Sequence, residues 1–377
     1  MPKEYFGLDS AKELATILRQ LKAQKIFLVT GKRAYHSSGA SEVLDPILAS
    51  YEVAIFNDFE ENPKIEEVKK GIELFKQSGA DVVLAVGGGS PIDMAKLINI
   101  LAAQGGNPSD YIRGESKITN PDKPIIAIPT TSGTGSEATH FAVVYINGQK
   151  YSLHDDHILP DYAIVDPKLT FSLSPEITAA TGMDALSQAI ESYWSIQSTE
   201  ESKSYSRESI TLAIANLAMA VNEPTNDVRI AMSKAAHLAG KAINIAKTTA
   251  PHAISYALTS NFGVPHGHAV GVFLPGLLAY NSEVGDDDIS DRRGLGYVRQ
   301  TMEEIFSLLG AENADGARNK LIDLMKKIGL ETRLGHLGLK STEDIELIVN
   351  NVNSERAGNN PRALTSDFIR DLCKQLF

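Results

Sequence analysis

Two histidines and an aspartate carry the first chemical suggestion in this chain. His252 and His266 lie 14 positions apart (266 − 252 = 14) in TTAPHAISYALTSNFGVPHGHAV, Thr248 to Val270. Asp184 lies upstream in TGMDALSQAIESYWS, where a segment with helical periodicity begins. Two imidazoles and a carboxylate make a divalent-metal site once a fold brings them together. A tight Pro265-His266-Gly267 turn would set His266 opposite His252. Gln188 follows Asp184 at i, i+4, so both project from one helical face, and its amide oxygen could add a weaker ligand. Glu191 and Trp194 continue the same helix and read as packing or surface residues with no catalytic part.

A second kind of chemistry sits earlier in the chain. Gly87-Gly88-Gly89-Ser90-Pro91-Ile92-Asp93 follows the apolar run DVVLAV and precedes a helical pattern. Consecutive glycines let a phosphate approach the backbone, and the N–H groups at the next helix start stabilise its charge. The stretch is neither GxGxxG nor a Walker loop. Pro129 to Glu137, PTTSGTGSE, is another small loop after a strand, and its hydroxyls at Thr130, Thr131, Ser132, Thr134 and Ser136 can wrap a diphosphate or ribose. Two such loops in one half of the chain favour a dinucleotide.

The elements that must position these groups follow from hydrophobic period. Ser10 to Ala23, Ser41 to Ser50 and Ile65 to Ser78 read as helices, and a further helix runs from Pro91 to Ala103. KIFLVT, YEVAIF, DVVLAV, PIIAIPT, FAVVYI and YAIVDP read as strands, with Asn147-Gly148 as a hairpin turn into KYSL. Alternation of this kind predicts a parallel sheet. From about Ser174 long helical patterns rich in Ala, Leu and Ile take over, with no credible strand. The fold class expected is therefore an α/β dinucleotide-binding domain with a parallel sheet over residues 1–173, followed by an all-helical, metal-binding domain over residues 174–377.

Bulk properties narrow the function classes. At 377 residues, 43% hydrophobic and 22% charged, the chain reads as a globular protein of two domains. A net charge of −11 argues against nucleic acid as a partner. Cys373 is the only cysteine, which excludes an intrachain disulfide. The N-terminus MPKEYFGLDS has no apolar leader core, and no apolar run reaches membrane-spanning length, so a cytoplasmic location is expected.

In these motifs the chain resembles the iron-containing (group III) alcohol dehydrogenase family. The resemblance spans essentially the whole length and rests on Glu61-Asn62-Pro63, GGGSPIDMAK, PTTSGTGSEAT, Pro160-Asp161 with Asp166-Pro167, GMDALSQAIES, PHG at Pro265 to Gly267, and Asn360-Pro361-Arg362. It implies a dehydroquinate synthase-like fold, a metal in the cleft between the domains, and a homodimer. By position it implies Asp184, Gln188, His252 and His266 as the ligands of Fe2+ or Zn2+. Gln188 departs from the family, which mostly has histidine there, and a neutral amide is a poorer ligand than imidazole. Tyr256 departs too, standing where many members have a histidine held to aid proton transfer, so Tyr256 or His268 is expected to take that part. The Gly87, Gly88, Gly89, Ser90 and Asp93 stretch, Thr130, Thr131 and Thr134 are implied to hold the cofactor, with Lys150 at its nicotinamide end. NAD-preferring members tend to carry an acid at the position of Gly31; glycine there, with Lys32 and Arg33 following, predicts that NADP(H) is accepted and preferred, NAD(H) not excluded. DALSQAIES with its Trp-Ser, KYSL, and ERAGNNPR are similar to the hydroxyethylphosphonate dehydrogenase, or phosphonoacetaldehyde reductase, branch of the family. A phosphonate dianion would need cations, for which Lys150, His154, Arg356 and Arg362 are the candidates.

Overall fold

The computed structural model describes residues 1–120 and 122–377. It divides into two compact units, Met1–Leu173 and Ser174–Phe377. The first unit holds the strands β1 (Lys3–Phe6), β2 (Lys25–Thr30), β3 (Glu52–Phe56), β4 (Val82–Gly87), β5 (Ile125–Pro129), β6 (Phe141–Ile146), β7 (Gln149–His154) and β8 (Tyr162–Val165). Its helices are α1 (Leu14–Leu21), α2 (Ala34–Ser37), α3 (Ala40–Leu48), α4 (Ile65–Ser78), α5 (Gly89–Ala103) and α6 (Pro108–Ile112).

Among the described residues the main sheet has six strands in the order β1-β8-β5-β4-β2-β3, and each adjacent pair is parallel. Strand residues alternate between two buried layers, as a parallel sheet covered on both faces requires. Phe27, Val29, Val83, Ala85 and Ala127 pack with α4 and α5 on one side. Ile26, Leu28, Val82, Leu84, Val86, Ile126 and Ile128 pack with α1 and α3 on the other. After β2 the chain moves outward to β3, whereas after β4 it moves the opposite way to β5. This reversal makes the carboxyl ends of β2 and β4 a topological switch point, the usual place for a ligand crevice in such sheets. β6 and β7 form a separate antiparallel hairpin. Its turn residues Asn147 and Gly148 have φ of 51° and 78°, the two positive values that a type I′ turn needs.

The sequence pattern has no strand before KIFLVT, yet β1 pairs in register with β8 from Lys3↔Tyr162 to Phe6↔Val165. KEYF is too short and too charged to announce itself by period. The second unit is helical, with α7 (Pro175–Trp194), α8 (Glu200–Asn222), α9 (Asn226–Ala246), α10 (Ala250–Phe262), α11 (His266–Ser282), α12 (Leu295–Leu308), α13 (Ala314–Lys327), α14 (Thr342–Asn350), α15 (Ser354–Ala357) and α16 (Ser366–Leu376). α7 starts on Ser174, whose hydroxyl accepts from the Ile177 N–H, with Pro175 in the first turn. It runs through the core, where Met183, Leu186, Ile190 and Tyr193 are fully buried.

Candidate metal centre and nucleotide loops

Register places the two small-residue loops side by side. β4 and β5 are neighbours, with Gly87 opposite Pro129, and the Thr130 N–H donates to the Gly87 carbonyl at 2.9 Å. Gly87 has φ 153°, and a Cβ there would come within 2.5 Å of Pro91 Cγ. A Cβ on Gly88 would lie 3.3 Å from the Thr131 side chain, and one on Gly89 only 2.8 Å from Thr134 Cγ2. Gly87 is therefore required by Pro91 and its positive φ, and Gly89 by the threonine loop packed on it, while a side chain at Gly88 would be tight. Because α5 begins at Gly89, its first N–H groups and its dipole sit where a pyrophosphate could use them. The Ser90 hydroxyl accepts from the Asn62 N–H at 3.2 Å, which ties the Glu61-Asn62-Pro63 segment to this loop.

Asp93, expected to help hold the cofactor, has both carboxylate oxygens engaged within its own unit. Its Oδ1 accepts from the Ser136 hydroxyl at 2.5 Å and its Oδ2 from the Val143 N–H at 2.9 Å. Burial raises its pKa, against the pull of the Lys96 charge. Lys96 went unnoticed in the sequence. It is fully buried, and its ammonium donates to the Ser136 carbonyl at 2.6 Å, the Thr139 carbonyl at 2.8 Å and the Phe141 carbonyl at 3.1 Å. The signal was a lysine three residues after Asp93 on an otherwise apolar helix. Gly31 is not demanded by the backbone, since a Cβ there would meet only ordinary contacts with Ala34 and Pro91. Lys32 pairs with Asp58 at 2.7 Å on the surface. Lys150 stands on β7 across from Tyr145, near enough to Asp93 for its charge to favour that carboxylate. His154 closes β7 opposite Phe141, its ring 4.3 Å from that of His140 and nearly perpendicular to it.

In the second unit Asp184, His252 and His266 converge, with one ligand atom from each lying within 4.8 Å of the others. Asp184 Oδ1 is 3.4 Å from His252 Nε2 and 4.0 Å from His266 Nε2. The two rings are 5.2 Å apart at 74°. Gln188 Nε2 donates to Asp184 Oδ2 at 3.1 Å. Asp184 Oδ1 and Gln188 Oε1 are buried and have no hydrogen-bond donor among the described residues. Orphaned buried oxygens are costly, and two of them beside imidazole nitrogens are what a cation would satisfy. Burial opposes a charged His252, but the Glu191 and Asp184 carboxylates override it and raise its pKa. The cluster fits a divalent metal.

Helix packing explains the convergence. A Cβ on Gly267 would overlap the Ala180 carbonyl oxygen and come within 2.7 Å of Asp184 Cβ, so glycine alone lets α11 start against α7. The expected Pro265-His266-Gly267 turn is corrected. The chain reverses at Gly263, with φ 68°, and His266 is the first residue of α11. Of the two readings for Glu191, packing or surface, burial selects the first: it is fully buried and bonded through Oε1 to His252 Nδ1 at 2.5 Å. Its spacing from Asp184 and Gln188, i+7 and i+3, was the signal, since all three share one face.

Tyr256, one turn after His252 on α10, is buried. Burial raises its pKa against the opposing charge of Arg356, so the phenol keeps its proton at neutral pH. The Arg356 guanidinium lies 5.9 Å from the Tyr256 ring and hydrogen-bonds to the Thr248 hydroxyl. His268, the other candidate for proton transfer, donates its Nε2–H to the Glu331 carbonyl at 2.7 Å, and burial lowers its pKa. Arg362, another expected substrate cation, is engaged by protein groups. Its guanidinium pairs with Asp288 at 2.6 Å, donates to the Tyr280 carbonyl at 2.6 Å, and stacks on the Tyr280 ring.

A glycine–threonine double loop at the carboxyl end of a parallel sheet, and an acid–imidazole cluster on packed helices, are the parts of a nucleotide- and metal-using oxidoreductase. Residues 2–167 match the family described as iron-containing alcohol dehydrogenase, and residues 178–377 match the C-terminal region of the Fe-containing alcohol dehydrogenase family. The chain is 33% identical to the NAD-dependent methanol dehydrogenase of Bacillus methanolicus, over 99% of this chain and 97% of that one. It is 39% identical to the phosphonoacetaldehyde reductase of Streptomyces viridochromogenes, over 63% of this chain and 62% of that one. The crystal structure of sulfoacetaldehyde reductase from Bifidobacterium kashiwanohense in complex with NAD+ superposes with a TM-score of 0.89 at 31% identity, covering 100% of this chain and 96% of that one. The chain belongs to the iron-containing alcohol dehydrogenase family, and it is an oxidoreductase acting on aldehydes or alcohols.

Proposed function

We propose that the enzyme reduces a small aldehyde carrying an anionic headgroup, phosphonoacetaldehyde to 2-hydroxyethylphosphonate, with NADPH or NADH and a divalent metal. The observation that carries the reading is Arg356, a guanidinium held against Tyr256 one helical turn from His252. The likeness to a phosphonoacetaldehyde reductase and to a sulfoacetaldehyde reductase supports it, since the aldehydes in both names bear an oxyanion headgroup.

Asp184, Gln188, His252 and His266 would hold Fe2+ or Zn2+. When bound, the metal supplies Lewis-acid polarisation of the aldehyde oxygen and the dihydronicotinamide supplies hydride. The chain's own residues do the rest. Arg356 binds the headgroup and orients the carbonyl. Tyr256 holds a proton at its phenol oxygen and delivers it as the alcohol forms. Gly87 to Ser90 and Thr130 to Thr134 bind the pyrophosphate. Gly31 leaves room for a 2′-phosphate, and Lys32 supplies a cation once its surface pair with Asp58 opens. A homodimer and a cytoplasmic location belong to the same reading.

A second reading, a general alcohol dehydrogenase for uncharged aldehydes, draws on the full-length match to methanol dehydrogenase and the 32% identity to the 1,3-propanediol dehydrogenase of Klebsiella pneumoniae. A panel at fixed metal content, following NADPH and NADH absorbance, separates the two. Phosphonoacetaldehyde should give the highest kcat/KM, and Arg356→Ala should raise its KM while sparing propionaldehyde. Preference for the uncharged aldehydes would establish the second reading instead.

A further inference from the structure

Glu191 is fully buried, and the reaction outlined above makes no use of it. A carboxylate at that depth is destabilising unless donors meet it, and here both oxygens are met. Oε2 accepts from the Thr249 N–H at 2.7 Å, the Thr249 hydroxyl at 3.1 Å and the His252 N–H at 3.5 Å. Two of these are backbone groups at the start of α10, where the helix dipole also favours negative charge. Oε1 takes the His252 Nδ1–H at 2.5 Å. With that proton on Nδ1, the lone pair of His252 is on Nε2, the nitrogen that lies 3.4 Å from Asp184 Oδ1. Beyond Thr249 stands Trp194, whose indole N–H donates to the Thr249 hydroxyl at 2.8 Å. Trp194 is the only tryptophan in the chain. One run of hydrogen bonds thus joins the indole to Thr249, Thr249 to Glu191, and Glu191 to His252.

We propose that Glu191 is the positioning residue of the metal centre, holding His252 in the tautomer that ligates through Nε2, and that Thr249 links the lone indole of Trp194 to occupancy of that centre. The proposal rests on the ligand set given above and deepens it. Carboxylates that orient a ligating imidazole typically matter 10–100-fold in metal affinity. Glu191→Gln isolates the effect. The amide keeps the volume, and its oxygen can still accept from Thr249. Its NH2 group then faces Nδ1, favouring the Nε2–H tautomer, which cannot ligate through Nε2.

The test uses full-length protein stripped with a chelator and titrated with Zn2+, read by competition with a chromophoric chelator and by Trp194 emission. Wild type should bind one Zn2+ with a change in emission. Glu191→Gln should bind about 10–100-fold more weakly. Thr249→Val keeps the Glu191–His252 bond but breaks the link to the indole. It should retain affinity within a few-fold while losing the emission response, which a merely structural Glu191 would not produce. Should Glu191→Gln not melt cooperatively, Glu191→Asp serves: its carboxylate is one methylene too short to reach α10 fully, and its affinity should fall between the two. Wild-type affinity in whichever Glu191 variant folds, or an unchanged emission response in Thr249→Val, overturns the proposal alone. A wild type that takes up no Zn2+ overturns the metal reading with it.

Discussion

Single residues decide this site by what they leave unsatisfied or unfilled. Asp184 Oδ1 and Gln188 Oε1 are buried acceptors without donors among the described residues, and Gly267 is where a missing side chain lets His266 stand beside Asp184. Gly267→Ala must push α11 off α7, because the clash is with backbone. Unfolding free energy should fall by about 1–3 kcal/mol, and Zn2+ affinity should fall in the same variant, both measurable by urea titration with and without metal. Tyr256→Phe removes the phenol proton and little else. Its kcat should drop about 100-fold with KM nearly unchanged, and steady-state kinetics at saturating cofactor read this directly. At the other unit, Lys32 shares its charge with Asp58 across an exposed, solvent-screened pair that holds it only weakly. Asp58→Ala should therefore lower the KM for NADPH a few-fold and leave that for NADH unmoved.

Elements explain why those residues meet, and which of them could be foreseen. α4 and the β2, β6 and β8 segments were legible from period alone, and Asn147-Gly148 announced its hairpin. Asp184, His252 and His266 could be paired because their chemistry is scarce and matched. Glu191 and Lys96 were not foreseen, because charge on an apolar helix reads as exposure until the neighbouring helix or loop supplies partners. For Arg362 and His268 the converse holds: a sequence shows the guanidinium and the imidazole but not the Asp288 carboxylate or the Glu331 carbonyl that engages each. Lys96 also carries a pH dependence. Burial lowers its pKa to about 8, with Asp93 and Glu137 opposing, while the unfolded chain holds the proton up to about 10.5. Between those values the unfolded state binds more protons, so this group makes stability rise with pH, by roughly 1.4 kcal/mol for each unit of difference. Lys96→Met should be less stable at pH 7, having stripped three carbonyls of a donor. It should also lack that rise, as urea unfolding at pH 7 and pH 10 would show.

For the whole molecule, the glycine- and threonine-rich loops lie in Met1–Leu173 and the acid–imidazole cluster in Ser174–Phe377. Ligands should therefore stabilise different parts of the chain. Zn2+ at 100 times its Kd adds about 2.7 kcal/mol, and hydrogen exchange should show that protection on α7, α10 and α11. NADPH should protect β4, α5 and the Thr130 to Ser136 loop. Chelation that slowed exchange in α7, or left it untouched, would contradict the division. The enclosed ammonium of Lys96 has one more consequence, for covalent labelling. An amine with no exposed surface is out of reach of acylating reagents while the sheet stands, whereas Lys12 and Lys32 are open to them. Label should therefore arrive at Lys96 only when the unit opens, and its rate of appearance in mass spectra would serve as a clock for that opening in the native protein.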